Sequence, residues 1–424
     1  MPAVRTDGFW QHPFRLTTNA TESFRNFSEP RNGNPFSSDE NRRGVSATLN
    51  SQFNTGRSRR RFASDFDLTG ARSRATDMEQ IAILNEIERL IRRDPAKRGL
   101  IMSEESQGPL CLGHLAFAAA DLAAHAERVV IVTGFFIPGA TPPAAETDGP
   151  PGAAFLAAAL ASLGVHVQLV TDEPCRRVVE IAAREMNLPP STVIVPGDTE
   201  CQIEHWFNAT VDDPTQPPWT HLIAIERVGP SHTRASIQQQ FGNPWLPDDV
   251  VELAEFDHLV PEAEWNHCHN MRGLRLDNDT APLHRLFELA GSRKNLRTIG
   301  IGDGGNEIGM GNIRWQNLRQ RLNTAAAARI PCRIRTDWTI ISGVSNWGGM
   351  ALAAATLMLR GRQTQLQPWT AEQQHRLLER VIEEGPAVDG ITQLPEPTVD
   401  GLPFLTYIQP WEGIRRVAGL RDQE

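Results

Sequence analysis

Lysine is almost missing from this 424-residue chain: of 42 basic residues only Lys97 and Lys294 are lysines, the rest being arginine. Lys97 is followed by Arg and Lys294 by Asn, so no G-x-x-x-x-G-K-[ST] phosphate loop exists and a P-loop nucleotide site is excluded. A pyridoxal-phosphate enzyme needs a Schiff-base lysine. Both lysines stand in polar, turn-like surroundings (DPAKRGL and GSRKNLR), which disfavours that class. Cysteines are few: five, at 111, 175, 201, 268 and 332, odd in number and never spaced C-x-x-C. That pattern reads as a reducing compartment without a thiolate zinc site. Positive charge is in deficit as well, with 51 acidic residues against 42 basic ones, net charge −9 and a pI near 5.8. The balance argues against nucleic acid or an anionic membrane as the main partner and favours a small molecule. A long apolar run is also wanting. Trp338 to Leu359 is free of charge, but Ser342, Gly343, Ser345, Asn346, Gly348 and Gly349 interrupt it. The remaining Met350 to Leu359 spans about 15 Å of helix at roughly 1.5 Å per residue, half a bilayer.

Residues 1–75 carry twelve Arg, seven acidic residues and many Ser, Asn and Gly, without a sustained apolar period. This composition predicts a disordered Arg/Ser-rich arm, and its acids oppose an organelle transit peptide. The expected address is the cytoplasm, with the mitochondrial matrix as the alternative. An ordered domain over 76–424 opens where Ile81, Ile83, Leu84, Ile87, Leu90 and Ile91 recur at helical spacing, with Thr76 or Asp77 as a cap. A second helix is expected over 110–126. Short β-branched runs then alternate with helical ones, and strands are predicted at 128–133, 165–171, 192–195, 221–225, 298–301 and 338–341. Helices are predicted at 152–163, 174–186, 281–289, 307–328 and 346–359, then at 371–384 and from about Trp411. The alternation implies an α/β fold, a mostly parallel sheet with helices on both faces, Rossmann-like and three-layered.

In open parallel sheets ligands bind beyond the carboxyl ends of the strands, and the loops there are rich in chemistry. The first is GFFIPGATPPAAETDGPPG (134–152), long for a compact domain and carrying Glu146 and Asp148. Asp172 follows the second strand, Glu226 and Arg227 the fourth, and SGVSNWGG (342–349) the sixth. GIGDGGNEIGMGN (300–312) follows the fifth, with six glycines in its first twelve residues. Asp148, Glu226, Asp303 and Glu307 are thus expected on one rim, with Arg227 and Asn346 beside them; the alternative is that each acid caps the helix that follows it. Gly300, Gly302 and Gly305 satisfy G-x-G-x-x-G, but Asp303 would face a pyrophosphate and no acid stands in 317–328 for a ribose, so NAD is disfavoured. An acidic glycine loop better suits a divalent metal or the ammonium of an amino acid. The NHCHN run at 266–270 has His267 and His269 on one face only if extended, with no third zinc ligand at a recognised spacing.

Six blocks in this order, VTGF (132–135), ETDGPPGA (146–153), AIERVG (224–229), GDGGNEIGMG (302–311), SGVSNWGG (342–349) and VDGLPF (399–404), resemble the D-glutamate cyclase C-terminal-type family. The resemblance implies a lyase that converts D-glutamate to 5-oxo-D-proline and water, a ring closure that needs no ATP. The animal enzymes of that family resemble a fusion with a further upstream hydro-lyase-like domain. For such chemistry Glu226 or Glu307 is a candidate general base, with Asp303 and Asn306 in the catalytic set. Asp148 and Asp303 are candidates to hold Mg²⁺ or Mn²⁺ against the γ-carboxylate. Arg227 would clamp the α-carboxylate, Asn306 or Asn346 would donate to the oxyanion, and Thr147, Gly304, Gly305 and Ser345 would line the substrate. The alternatives are a metal-dependent lactam or amide hydrolase and a non-catalytic amino-acid-binding module. A homo-oligomer is left open.

Overall fold

The computed structural model describes residues 74–420 apart from 103 and 243, so all but the last two residues of the expected arm lie outside the described residues. Six strands form one sheet: β1 (Arg128–Thr133), β2 (His166–Val170), β3 (Val193–Ile194), β4 (Trp219–Ile225), β5 (Arg297–Gly302) and β6 (Trp338–Ile341). Their order is β3-β2-β1-β4-β5-β6 and every pairing is parallel, with Ile131 of β1 in register with Leu169 on one side and Ile223 on the other. The chain winds outward from β1 to β3 and returns to β4 on the other side of β1. The crevice between β1 and β4 is therefore the topological switch point, where ligands of such sheets bind.

Strand alternation supplies the two cores. Val129 and Ile131 face a cluster containing Phe155, Val178, Met350 and Trp411, while Val130 and Val132 face one containing Phe207, Leu286 and Leu318. Each fully buried side chain of this size contributes about 1.5–3 kcal/mol. Helices therefore cover both faces, as the alternating pattern predicts.

The uncharged stretch that resembled half a membrane span is the helix Ser345–Leu359, buried along most of its length in the first core. No described helix is long and apolar enough to cross a membrane. It packs on Pro150–Ser162, an Ala-rich helix started by two prolines. The two backbones come so close that a Cβ on Gly152 would lie 2.6 Å from Asn346 Cα, and one on Gly349 would lie 2.7 Å from the Gly152 carbonyl oxygen.

Two expectations are corrected. The helix expected over 307–328 is instead a loop, a 3-10 turn Met310–Asn312 and a short helix Trp315–Arg321. Glu307 bridges Val228 in an antiparallel contact, and Gly309 has φ +107°, so the backbone leaves helical geometry there. The first helix runs Arg74–Ile91, which places Thr76 and Asp77 inside it rather than at its cap. The helices Glu200–Thr210, Arg234–Gln240 and Pro247–Leu259 were not anticipated.

Candidate active site

Asp148, Glu226 and Asp303 come from the loops after β1, β4 and β5 and meet at the switch point. All three are buried, and one carboxylate oxygen from each lies within 4.8 Å of the others. Asp148 is fixed at the start of the Ser345–Leu359 helix, accepting the N–H of Ser345 (2.8 Å) and of Asn346 (2.8 Å). It caps a helix, as the competing reading has it, but one almost 200 residues further on rather than the next in sequence. The Ser345 hydroxyl donates to Glu226 Oε2 at 2.6 Å. Glu226 has φ +44°, a left-handed conformation that is costly for a side chain with a Cβ and found mostly where function demands it. Gly149, at φ +98°, makes room: a Cβ there would lie 2.8 Å from that of Glu226.

Three further charged groups complete the cluster. Glu146 and Asp400 are buried beside it, and Asp400 has φ +54°. Arg98 enters from the loop before Gly99, holds Asp400 through two bonds (2.9 and 2.6 Å) and pairs with Asp303. Its side chain is 15% exposed against 1% for those of Asp303 and Asp400, so it is the member of this group nearest to solvent. Five carboxyl groups thus share one guanidinium. Burial first, and the neighbouring negative charge of Asp400 next, push Asp148 up to about 7. Burial and the neighbouring acids raise Glu146, Glu226 and Asp303 well above the carboxylate range, Arg98 only partly opposing this. Asp303 Oδ1 is buried without a hydrogen-bond partner.

The remaining expected residues are nearby but occupied. Glu307 turns back into its own glycine loop and accepts N–H groups from Asp303 (3.1 Å), Gly304 (2.6 Å) and Gly305 (2.7 Å), so those two glycines present their amides to Glu307. Asn346 accepts from Gly149 (3.0 Å) and Gly152 (2.7 Å) and donates to the Thr147 carbonyl (3.0 Å), fastening the β1 loop to the helix start. The Thr147 hydroxyl donates to the Thr398 carbonyl (2.8 Å). Asn306 donates to the His269 carbonyl (2.9 Å), while its buried Oδ1 has no partner.

Arg227 points away from the cluster, contrary to the expected clamp. It pairs with Asp172 (2.6 Å) and donates to the carbonyls of Gly134 (2.8 Å) and Ala281 (2.7 Å). The strand ends at Ile225 and the left-handed turn at Glu226 sends the two side chains to different sides, Glu226 into the site and Arg227 toward Asp172. Arg98 is the cation that sequence reasoning missed; it lies in the DPAKRGL segment, before the first strand, where no loop-order argument reaches. Asp400 was legible only as the Asp-Gly turn of VDGLPF. Tyr407, the single tyrosine, is buried beside Asn346. His267 and His269 do not converge on a metal: the first meets Asp277 (2.8 Å) and the second Glu264 (3.0 Å).

The fold is thus a parallel α/β sheet of Rossmann-like order with a buried cluster of five carboxyl groups and one guanidinium at its switch point. Comparison with known proteins narrows the class: the model of the D-glutamate cyclase-like C-terminal family matches residues 87–237 and 254–410, and the chain belongs to that family. The human protein D-glutamate cyclase, mitochondrial, is 31% identical over 283 residues, which are 65% of this chain and 39% of the human one. The match therefore spans well under half of that relative's length.

Proposed function

We propose that this chain is a lyase of the D-glutamate cyclase type, closing D-glutamate to 5-oxo-D-proline with release of water. The observation that carries this reading is the convergence of Asp148, Glu226 and Asp303 within 4.8 Å in a chain of this family. Its donors are all carboxylate oxygens, the hard set suited to Mg²⁺ or Mn²⁺, and the unpartnered Asp303 Oδ1 fits such an ion. Asp148 and Asp303 would hold it, leaving Glu226 beside them as a free carboxyl, and it would supply Lewis-acid polarisation of the substrate γ-carboxylate.

The chain's own groups do the rest. Ring closure forms one C–N bond and breaks one C–O bond; two of the three ammonium protons leave with that oxygen as water, and the third stays on the lactam nitrogen. Glu226, whose carboxyl burial and the neighbouring Glu307 and Asp148 make more basic than an ordinary carboxylate, is suited to take the first proton from the amine and return it to the departing oxygen. Glu307 is less suited, because its carboxylate already accepts three amides. Holding the substrate curled supplies much of the remainder, since a well-oriented intramolecular attack is worth roughly 7–11 kcal/mol.

The test is purified chain with D-glutamate or L-glutamate, each with and without Mg²⁺ or Mn²⁺, read by chiral chromatography. 5-Oxoproline from the D isomer alone supports the cyclase. Binding without product favours an amino-acid-binding module, and conversion of added 5-oxo-D-proline in the opposite direction favours the lactam hydrolase. The human relative is named mitochondrial, and imaging of the tagged chain decides between that matrix and the cytoplasm.

A further inference from the structure

We infer that Arg98 is the residue that selects a carboxylate-bearing substrate, and that Asp303 serves as its temporary partner until the site is loaded. The inference rests on the cyclase reading and deepens it. A substrate with two carboxylates must enter a pocket that already holds five carboxyl groups, and Arg98 is the guanidinium facing them, Arg227 being committed to Asp172. Arg98 is also the most exposed member of the cluster, where an arriving ligand is met first.

Its bonding is divided in a way that permits exchange. Nη1 and Nη2 both bind Asp400, a two-point grip that keeps the guanidinium in place, while Nη1 alone is shared with Asp303. A divalent cation on Asp148 and Asp303 would satisfy Asp303 and compete with Arg98 for it. The N–H of Nη1 that Asp303 gives up is then free to donate to one oxygen of a substrate carboxylate while Asp400 keeps the paired edge. Asp400 is then a positioning residue, its left-handed backbone aiming the carboxylate that straps Arg98.

Two measurements on the full chain test this. Manganese titration calorimetry without substrate should find Arg98→Gln binding Mn²⁺ about 3- to 10-fold tighter than wild type, because a competing cation has been removed. Steady-state kinetics with D-glutamate should show KM raised about 10- to 100-fold with kcat within a few-fold, the pattern of a lost uniform binding contact. Arg98→Lys should fall between, and Asp400→Asn should raise KM less than Arg98→Gln does. Circular dichroism with saturating Mn²⁺ establishes that each variant is folded, and Arg98→Lys keeps the charge if Arg98→Gln is not. An Arg98→Gln, or failing that an Arg98→Lys, with unchanged KM or with weaker Mn²⁺ binding overturns the inference. A wild-type chain that makes no 5-oxoproline overturns the cyclase reading instead. In that event the Mn²⁺ affinity ratio still decides whether Arg98 competes for the site.

Discussion

Glu226 and Arg227 are adjacent in sequence and end in two opposite kinds of buried charge. On one side Arg227 and Asp172 are matched one for one at 2.6 Å. Burial works against both charges there, yet each holds the other ionised: Asp172 lies below its ordinary value and Arg227 above it. On the other side Glu226 joins four more carboxyl groups around a single guanidinium, and its pKa is driven up by burial and by Glu307 and Asp148. Desolvation operates in both places; what differs is the count of compensating charge. A matched pair belongs to the architecture, whereas a deficit of positive charge that the fold maintains at its own expense marks a place reserved for something else.

The largest effect that would sharpen this contrast is Asp303→Asn. It should lower turnover about 10³-fold while leaving the circular dichroism spectrum and melting profile intact, and a variant with wild-type rates would break the assignment. Asp172→Asn should do the reverse, costing about 3–5 kcal/mol of stability by stranding Arg227. Urea melts would report the loss, and the KM of the folded fraction should be unchanged.

Next is pH. The folded Asp148 keeps its proton up to about 7 whereas an ordinary carboxyl releases it near 3.8, so between those values the folded state binds more protons than the unfolded one. Stability without metal must therefore fall as pH rises through that window, by roughly 1 kcal/mol per pH unit for one such group. Melting curves from pH 4 to 8 would show it, and either Mn²⁺ or Asp148→Asn should flatten the slope. The smallest effect concerns packing alone. Gly152→Ala should cost about 1–3 kcal/mol by pushing the two central helices apart, with activity lost in proportion to displacement of Asp148.

Much of this was legible because the relevant signals are local. The strands read clearly as β-branched runs closed by Gly and Pro, and β1 and β6 match their expected limits residue for residue. Loop order then brought Asp148, Glu226 and Asp303 together, because a parallel sheet gathers its carboxyl ends on one rim. What failed depends on direction rather than position. Nothing in AIERVG says which of Glu226 and Arg227 faces inward. Nothing in GDGGNEIG says that Glu307 will fold back onto its own amides instead of opening a helix. Arg98 and Asp400 come from opposite ends of the domain, and only the finished packing joins them.

The backward turn of Glu307 bears on the redesign of such sheets. The three amides it occupies form the kind of concave donor cradle that elsewhere in parallel α/β proteins welcomes phosphate. Here the chain supplies its own anion, and the loop is converted from a receptor for negative ligands into a rigid mount for Asp303. Two side chains on one loop, Asp303 and Glu307, separate a phosphate cradle from a cation well, so a shift between these two ways of using the same rim need not rebuild the scaffold. Removing both carboxylates, as in Asp303→Asn combined with Glu307→Gly, is the most economical route by which a designer could ask this loop to accept a sulfate or phosphate.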